Sequence, residues 1–130
     1  MTKGEYHRVV ILSAGSYIGR AVCGRLRESG TRVSAVARNF ANIDRHPFAH
    51  CVDCDLTDFA AVEDGLSEVV DSVGMISGVV NCAGSIHLKP AHLTSRKQLD
   101  EALQSNVVTA SAAVRGEVNV LRDSPASIVV

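Results

Sequence analysis

Net charge, long apolar runs and disulfide-type cysteine spacing are all missing from this sequence, and each absence removes a class of function. The formal net charge is -1, from 13 basic and 14 acidic residues interspersed along the chain. That leaves no basic face to track a phosphate backbone or an anionic membrane surface, so neither nucleic acid nor membrane is expected as a partner. The start of the chain is polar and runs into an apolar stretch too short for a secretory signal or a membrane span. The cytoplasm is the expected compartment. Cys23, Cys51, Cys54 and Cys82 sit inside apolar stretches, without the loop-rich spacing of a secreted scaffold, and are expected to stay reduced. Cys51 and Cys54 form a CxxC, but no second CxxC or Cys/His pair completes a zinc site, and residues three apart on a strand point to opposite faces. No metal is expected. Internal repeats, low-complexity tracts and linkers are also missing, so residues 1–130 read as a single domain.

What the chain does have is a core: 46% of its residues are apolar, enough to bury a substantial interior and to exclude disorder. Val9 to Leu12 form a continuous apolar run, which marks a strand buried on both faces and hence a parallel sheet. After the stretch Gly15 to Gly19, Ile18, Val22 and Leu26 recur at helical spacing, and Gly30 offers a left-handed stop. Arg32 to Ala37 reads as a second strand, followed by a polar stretch, Arg38 to Pro47, with room for a short helix. His50 to Asp53 reads as a third strand. Thr57 or Asp58 can cap a helix that buries Val62, Leu66, Val69, Val70 and Val73 and ends at Gly74. Ile76 to Asn81 gives a fourth strand and Cys82 to Leu93 a loop. Ser95 with Gln98 is a capping-box pair that opens a long helix reaching about Leu121, and Ala126 to Val130 begins a fifth strand. Strands alternating with helices predict right-handed crossovers and an α/β, Rossmann-like doubly wound parallel sheet of about five strands. In that architecture a ligand sits at the carboxyl ends of the strands, where strand order reverses.

The loops at those ends carry the candidate site. Ser13, Gly15, Ser16, Tyr17, Ile18 and Gly19 follow the first strand; small residues there let backbone approach a pyrophosphate, and the amides of the following helix supply donors. Arg38 ends the second strand where NAD enzymes usually place an acid for the ribose, and a guanidinium there suits a 2'-phosphate; the alternative is a solvated surface arginine. Asp55 and Leu56 follow the third strand, where an acid can accept from an adenine amino group, although Asp55 also fits a helix-capping role. Asn81, Ala83 and Gly84 follow the fourth, where small residues leave room for a ribose.

Taken together these motifs resemble the short-chain dehydrogenase/reductase family, and in particular the 3-oxoacyl-carrier-protein reductases. Ile18-Gly19-Arg20-Ala21, Asp55-Leu56-Thr57, Asn81-Cys82-Ala83-Gly84, Asn106 within Gln104-Ser105-Asn106-Val107, and Ser127-Ile128-Val129-Val130 follow the family's order and spacing over nearly the whole chain. The resemblance implies an oxidoreductase that moves hydride between NAD(P) and a small carbonyl or alcohol substrate, with NADP(H) more in keeping with Arg38 than NAD(H). It also implies a supporting catalytic role for Asn106, which would bend its helix and hold a water. His87 would lie near the nicotinamide.

The sequence departs from the family in two places. The family's three-glycine first turn has only Gly15 and Gly19 here, in one of two registers. If Gly19 is the last of the three glycines, Ser13 and Tyr17 replace the others. If Gly15 and Gly19 are the first two, Ala21 replaces the third. The family's catalytic serine and Tyr-x-x-x-Lys pair have no counterpart: Tyr6 and Tyr17 are the only tyrosines, and neither has a lysine four residues on. The five histidines, including His7, His46, His50 and His92, have no spacing that makes a triad. The chain therefore reads as the cofactor-binding part of a longer fold, inactive alone and prone to oligomerise through its uncovered edge. A homo-oligomer is in keeping with that. The alternative is a non-catalytic dinucleotide-binding or interaction module. A Rossmann-type methyltransferase is disfavoured, because Arg38 stands where that class wants an acid.

Overall fold

The computed structural model describes residues 7–130; Tyr6 lies outside them. Five strands, β1 (Arg8–Leu12), β2 (Arg32–Ala37), β3 (Cys51–Asp53), β4 (Gly78–Asn81) and β5 (Ser127–Val129), form one sheet in the order β3-β2-β1-β4-β5. Every pairing is parallel, with Val10 opposite both Ser34 and Val79. This is the doubly wound sheet expected from the sequence. Val10 and Ile11 at its centre are fully buried, one on each face.

Helices cover both faces. α1 (Tyr17–Glu28) packs on one, with Cys23, Phe40, Val33 and Ala35 in the core beneath it. On the other, α2 (Phe59–Val73) and the long helical segment after β4 enclose Val62, Leu66, Val69, Val79, Ala112 and Ala113. Each fully buried valine or leucine contributes about 1.5–3 kcal/mol, which makes this second layer the main source of stability. Asp58 caps α2 by accepting from the Ala61 N–H, and Gly74 stops it with φ +87. Cys51 packs into the α1 side and Cys54 into the α2 side, so the CxxC straddles the sheet.

Several boundaries differ from the expectation, β3 starting at Cys51 rather than His50 and β5 covering Ser127–Val129 among them. Arg38 to Pro47 contains turns but no helix, because Phe40 is drawn into the core and the chain turns back on itself, with the Ile43 N–H donating to the Phe40 carbonyl. β4 begins at Gly78 rather than Ile76, since Ile76 fills the core ahead of the ladder. The helix opened by Ser95 reaches Leu121 as expected but is not α-helical throughout: α3 (Arg96–Leu103) passes through a π-helical turn at Gln104–Val108 into α4 (Thr109–Leu121). The Ser95/Gln98 capping box is present in full.

Candidate functional site at the sheet's carboxyl edge

Strand order reverses between β1, which neighbours β2, and β4, so the loops after β1 and β4 face each other. They are joined directly: the Cys82 N–H donates to the Leu12 carbonyl at 2.9 Å, and the Ser16 hydroxyl, 2.9 Å from the Ser13 carbonyl, also lies 3.3 Å from the Cys82 carbonyl. Ser16 is the N-cap of α1, its Oγ accepting the Gly19 N–H at 3.0 Å. Gly19 has no room for a side chain, because a Cβ there would collide with the Ser13 carbonyl oxygen. Ser13 adopts φ +63, the left-handed conformation that favours glycine. The geometry therefore selects the register in which Gly19 closes the turn and Ser13 and Tyr17 stand at the two earlier glycine positions. Tyr17, the first residue of α1, is 92% exposed.

Gly15 lies under the β2–β3 connection, where the Ile43 side chain occupies the space that a Cβ at Gly15 would need, 2.7 Å away. After β3, Asp55 Oδ1 accepts from both the Thr57 N–H (2.9 Å) and the Thr57 hydroxyl (2.7 Å). These two bonds, with the Arg38 charge adding a smaller effect, hold the Asp55 carboxyl below its ordinary range. Asp58, not Asp55, caps the helix that follows. After β4, Asn81 Oδ1 accepts the Ala83 N–H at 3.1 Å and turns the chain. Asn106 sits in the π-helical turn, where its amide group binds the Ser85 backbone and the Ala102 carbonyl.

These loops and α3 enclose a cleft of about 900 Å³. Of the residues singled out from the sequence, Ser13, Arg38, Asp55, Leu56, Ala83 and Gly84 line it. Ser16, Gly19 and Asn81 shape the wall from behind, and Asn106 pins Ser85, which does line the cleft. Gly15, Tyr17, Ile18 and His87 do not line it; Tyr17 and Ile18 are exposed on the first turn of α1 and His87 in the loop after β4. The opposite wall went unread in the sequence: Arg96, Lys97, Asp100, Glu101, Gln104 and Ser105, on α3 and the turn after it. Their spacing at i and i+4 places them on one side of the helix, a signal that is present in the sequence but says nothing about which side meets the cleft.

The cleft thus combines the acids Asp55, Asp100 and Glu101, the cations Arg38, Arg96 and Lys97, the small residues Ala83 and Gly84, and apolar Leu56. No cluster of metal-ligating side chains occurs among the described residues, and none of their helices is long and apolar enough to cross a membrane.

Comparison with known proteins agrees with this geometry. The family model described as short chain dehydrogenase matches residues 7–130. An L-xylulose reductase of Mesocricetus auratus is 30% identical over 128 residues, covering 94% of this chain and 51% of the relative. Among solved structures, a short chain dehydrogenase from Mycobacterium smegmatis superposes with TM-score 0.85 at 20% identity, covering 95% of this chain and 56% of that one. A 3-ketoacyl-(acyl-carrier-protein) reductase from Brucella melitensis, solved with NADH, superposes with TM-score 0.80 at 20% identity, covering 92% and 52%. The chain spans about half the length of these relatives.

Proposed function

The chain belongs to the short-chain dehydrogenase family, and on that premise we propose that residues 1–130 form a single NADP(H)-binding domain of an oxidoreductase acting on a small carbonyl or alcohol substrate. The family binds NAD(P)(H). The bound nicotinamide would carry the hydride. Arg38 is the observation that carries the finer reading: it stands at the end of β2 on the cleft wall, close enough to Asp55 to lower that group's pKa. In this reading Arg38 meets a 2'-phosphate, the free lone pairs of Asp55 accept from the adenine, Leu56 packs on the base, and Ala83 and Gly84 leave space for the ribose. Ser13 on the cleft wall would meet the phosphates, with the turn of Gly15, Ser16, Tyr17, Ile18 and Gly19 behind it setting the start of α1. Asn106 supports the site by holding the β4 loop.

The 130 residues contain no Tyr-x-x-x-Lys pair, so this chain is expected to bind cofactor without turning it over. An exposed apolar stripe, Leu99, Leu103, Val107, Val114 and Val118, supports a homo-oligomer. A cytoplasmic location fits the composition. The test is to mix the chain with NADPH and a panel of ketoses, dicarbonyls and acyl thioester ketones, following nucleotide fluorescence and absorbance at once. Binding without oxidation of NADPH is expected. Oxidation would place an acid or base within these residues, and no binding would leave an interaction module as the better reading.

A further inference from the structure

The proposed contact between Arg38 and a 2'-phosphate depends on where the β2–β3 connection is held, and that connection has no helix or strand between Arg38 and His50. Some of its fixings are internal: Asn39 Oδ1 accepts the Ala41 N–H at 2.7 Å, and the Ile43 N–H donates to the Phe40 carbonyl at 3.1 Å. Two contacts tie its middle to the first turn. Ile43 rests in the space left by the missing side chain of Gly15. Arg20, on α1, reaches across both segments, its Nε donating to the Gly15 carbonyl at 3.1 Å and its Nη2 to the Asn42 carbonyl at 3.5 Å. Among the described residues Arg20 forms no ion pair, so its donors go to these two carbonyls, one from the turn and one from the loop.

Resting on the reading of Arg38 given above, we infer that Arg20 is a positioning residue: with Ile43 it clasps the loop that follows Arg38 to the first turn, and so sets the selectivity for a 2'-phosphorylated dinucleotide. Without the clasp the loop can shift away from the turn, and the backbone that presents Arg38 to the cleft shifts with it. Only a cofactor with a 2'-phosphate uses Arg38. The groups that serve both cofactors, at Asp55 and in the β4 loop, are held by their own bonds to Thr57 and Asn106 and stay in place.

The experiment is equilibrium titration of the 130-residue chain and its Arg20→Met, Arg20→Lys and Ile43→Ala variants with NADPH and NADH, with amide exchange at Ala41 and Ile43 measured in the unliganded proteins. Arg20→Met is expected to weaken NADPH binding by about tenfold, the loss of one charge-assisted bond, and to change NADH binding by less than about twofold. Ile43→Ala, which removes no charge, is expected to act in the same direction, and both variants to speed exchange at Ala41 and Ile43. Equal losses for the two nucleotides would assign Arg20 to the turn alone and overturn the inference. So would an unchanged nucleotide ratio in Ile43→Ala together with full rescue by Arg20→Lys, since charge would then explain everything. If the wild-type chain binds neither nucleotide, the Arg38 reading falls and the selectivity role with it. Faster exchange in the variants would then show the clasp as structure only, and unchanged exchange would remove that too.

Discussion

The side chain of Asn106 reads both backbone polar groups of Ser85: its Oδ1 accepts the Ser85 N–H at 3.1 Å, and its Nδ2 donates to the Ser85 carbonyl at 2.9 Å. The same Nδ2 donates to the Ala102 carbonyl at 2.9 Å, inside the helix that carries it. One amide side chain therefore joins the loop after β4 to the π-helical turn, and a second bond, 2.6 Å between the Ser85 and Ser105 hydroxyls, runs beside it. Replacing Asn106 by alanine leaves the Ser85 N–H and carbonyl without these partners. A loss of about 1–2 kcal/mol is expected, measurable by urea unfolding, along with faster amide exchange at Ser85. Unchanged exchange there would show that the loop is held by other contacts.

Ser13 carries a conformational cost at φ +63 that glycine would not. Ser13→Gly removes it but adds freedom to the unfolded chain, so the expected gain is at most about 1 kcal/mol. Its hydroxyl is absent from the hydrogen bonds of the turn, where the backbone N–H donates to the Val36 carbonyl instead, so little is lost in exchange. Thermal unfolding checks the direction: a lower midpoint for the glycine variant would mean that the side chain has a stabilising contact of its own.

Tyr17 and the glycine turn show how far the sequence could be read. The motifs that follow β1, β3 and β4, with Asn106 in the next helix, identify the fold because each is local, and a parallel sheet brings the three loops to one edge. Two registers of the turn stayed open in the sequence because glycines can be counted either way. The backbone chooses between them: Gly19 faces the Ser13 carbonyl with no space for a Cβ, and Ser13 takes the left-handed conformation. Asn106 was legible as a motif, while its hold on Ser85 was not, since that contact spans the chain and needs the π-helical turn to aim the amide. The α3 wall of the cleft was hidden for a similar reason: α3 buries none of its residues, so no apolar stripe shows which way it faces.

Cysteine chemistry offers a separate check on the CxxC. Burial pushes all four thiols up, Cys54 to about 11, helped there by the nearby Asp55, Asp58 and Asp64 charges. Since the thiolate is the reactive form, alkylation by iodoacetamide at about pH 8 should be much slower in the folded chain than in the denatured one. Rapid labelling of the native protein at Cys51 or Cys54 would argue for a reactive pair.

Glu117 should make stability depend on pH. It is buried on α4, its Oε2 has no hydrogen-bond partner, and desolvation raises its carboxyl pKa. Because the folded state binds this proton more tightly than the unfolded state, stability attributable to Glu117 is present at low pH. It is lost as pH rises from the unfolded value near ~4.3 through the raised folded value. Glu117→Gln removes the charge, so the variant should have a higher thermal midpoint than the parent at neutral pH, with the advantage fading toward about pH 4. A difference that does not change with pH would mean that the carboxylate is solvated in the folded state.

This edge of the sheet is expected to bind a dinucleotide, with Arg38 selecting the 2'-phosphate. Calorimetric titration of the chain and its Arg38→Asp variant with NADPH and NADH tests it most directly. Tighter binding of NADPH than NADH is expected for the parent, and a ratio shifted toward NADH by about tenfold or more in the variant, as when a charge-assisted pair becomes a repulsive one. Binding of neither nucleotide, or the same ratio in both proteins, would contradict it.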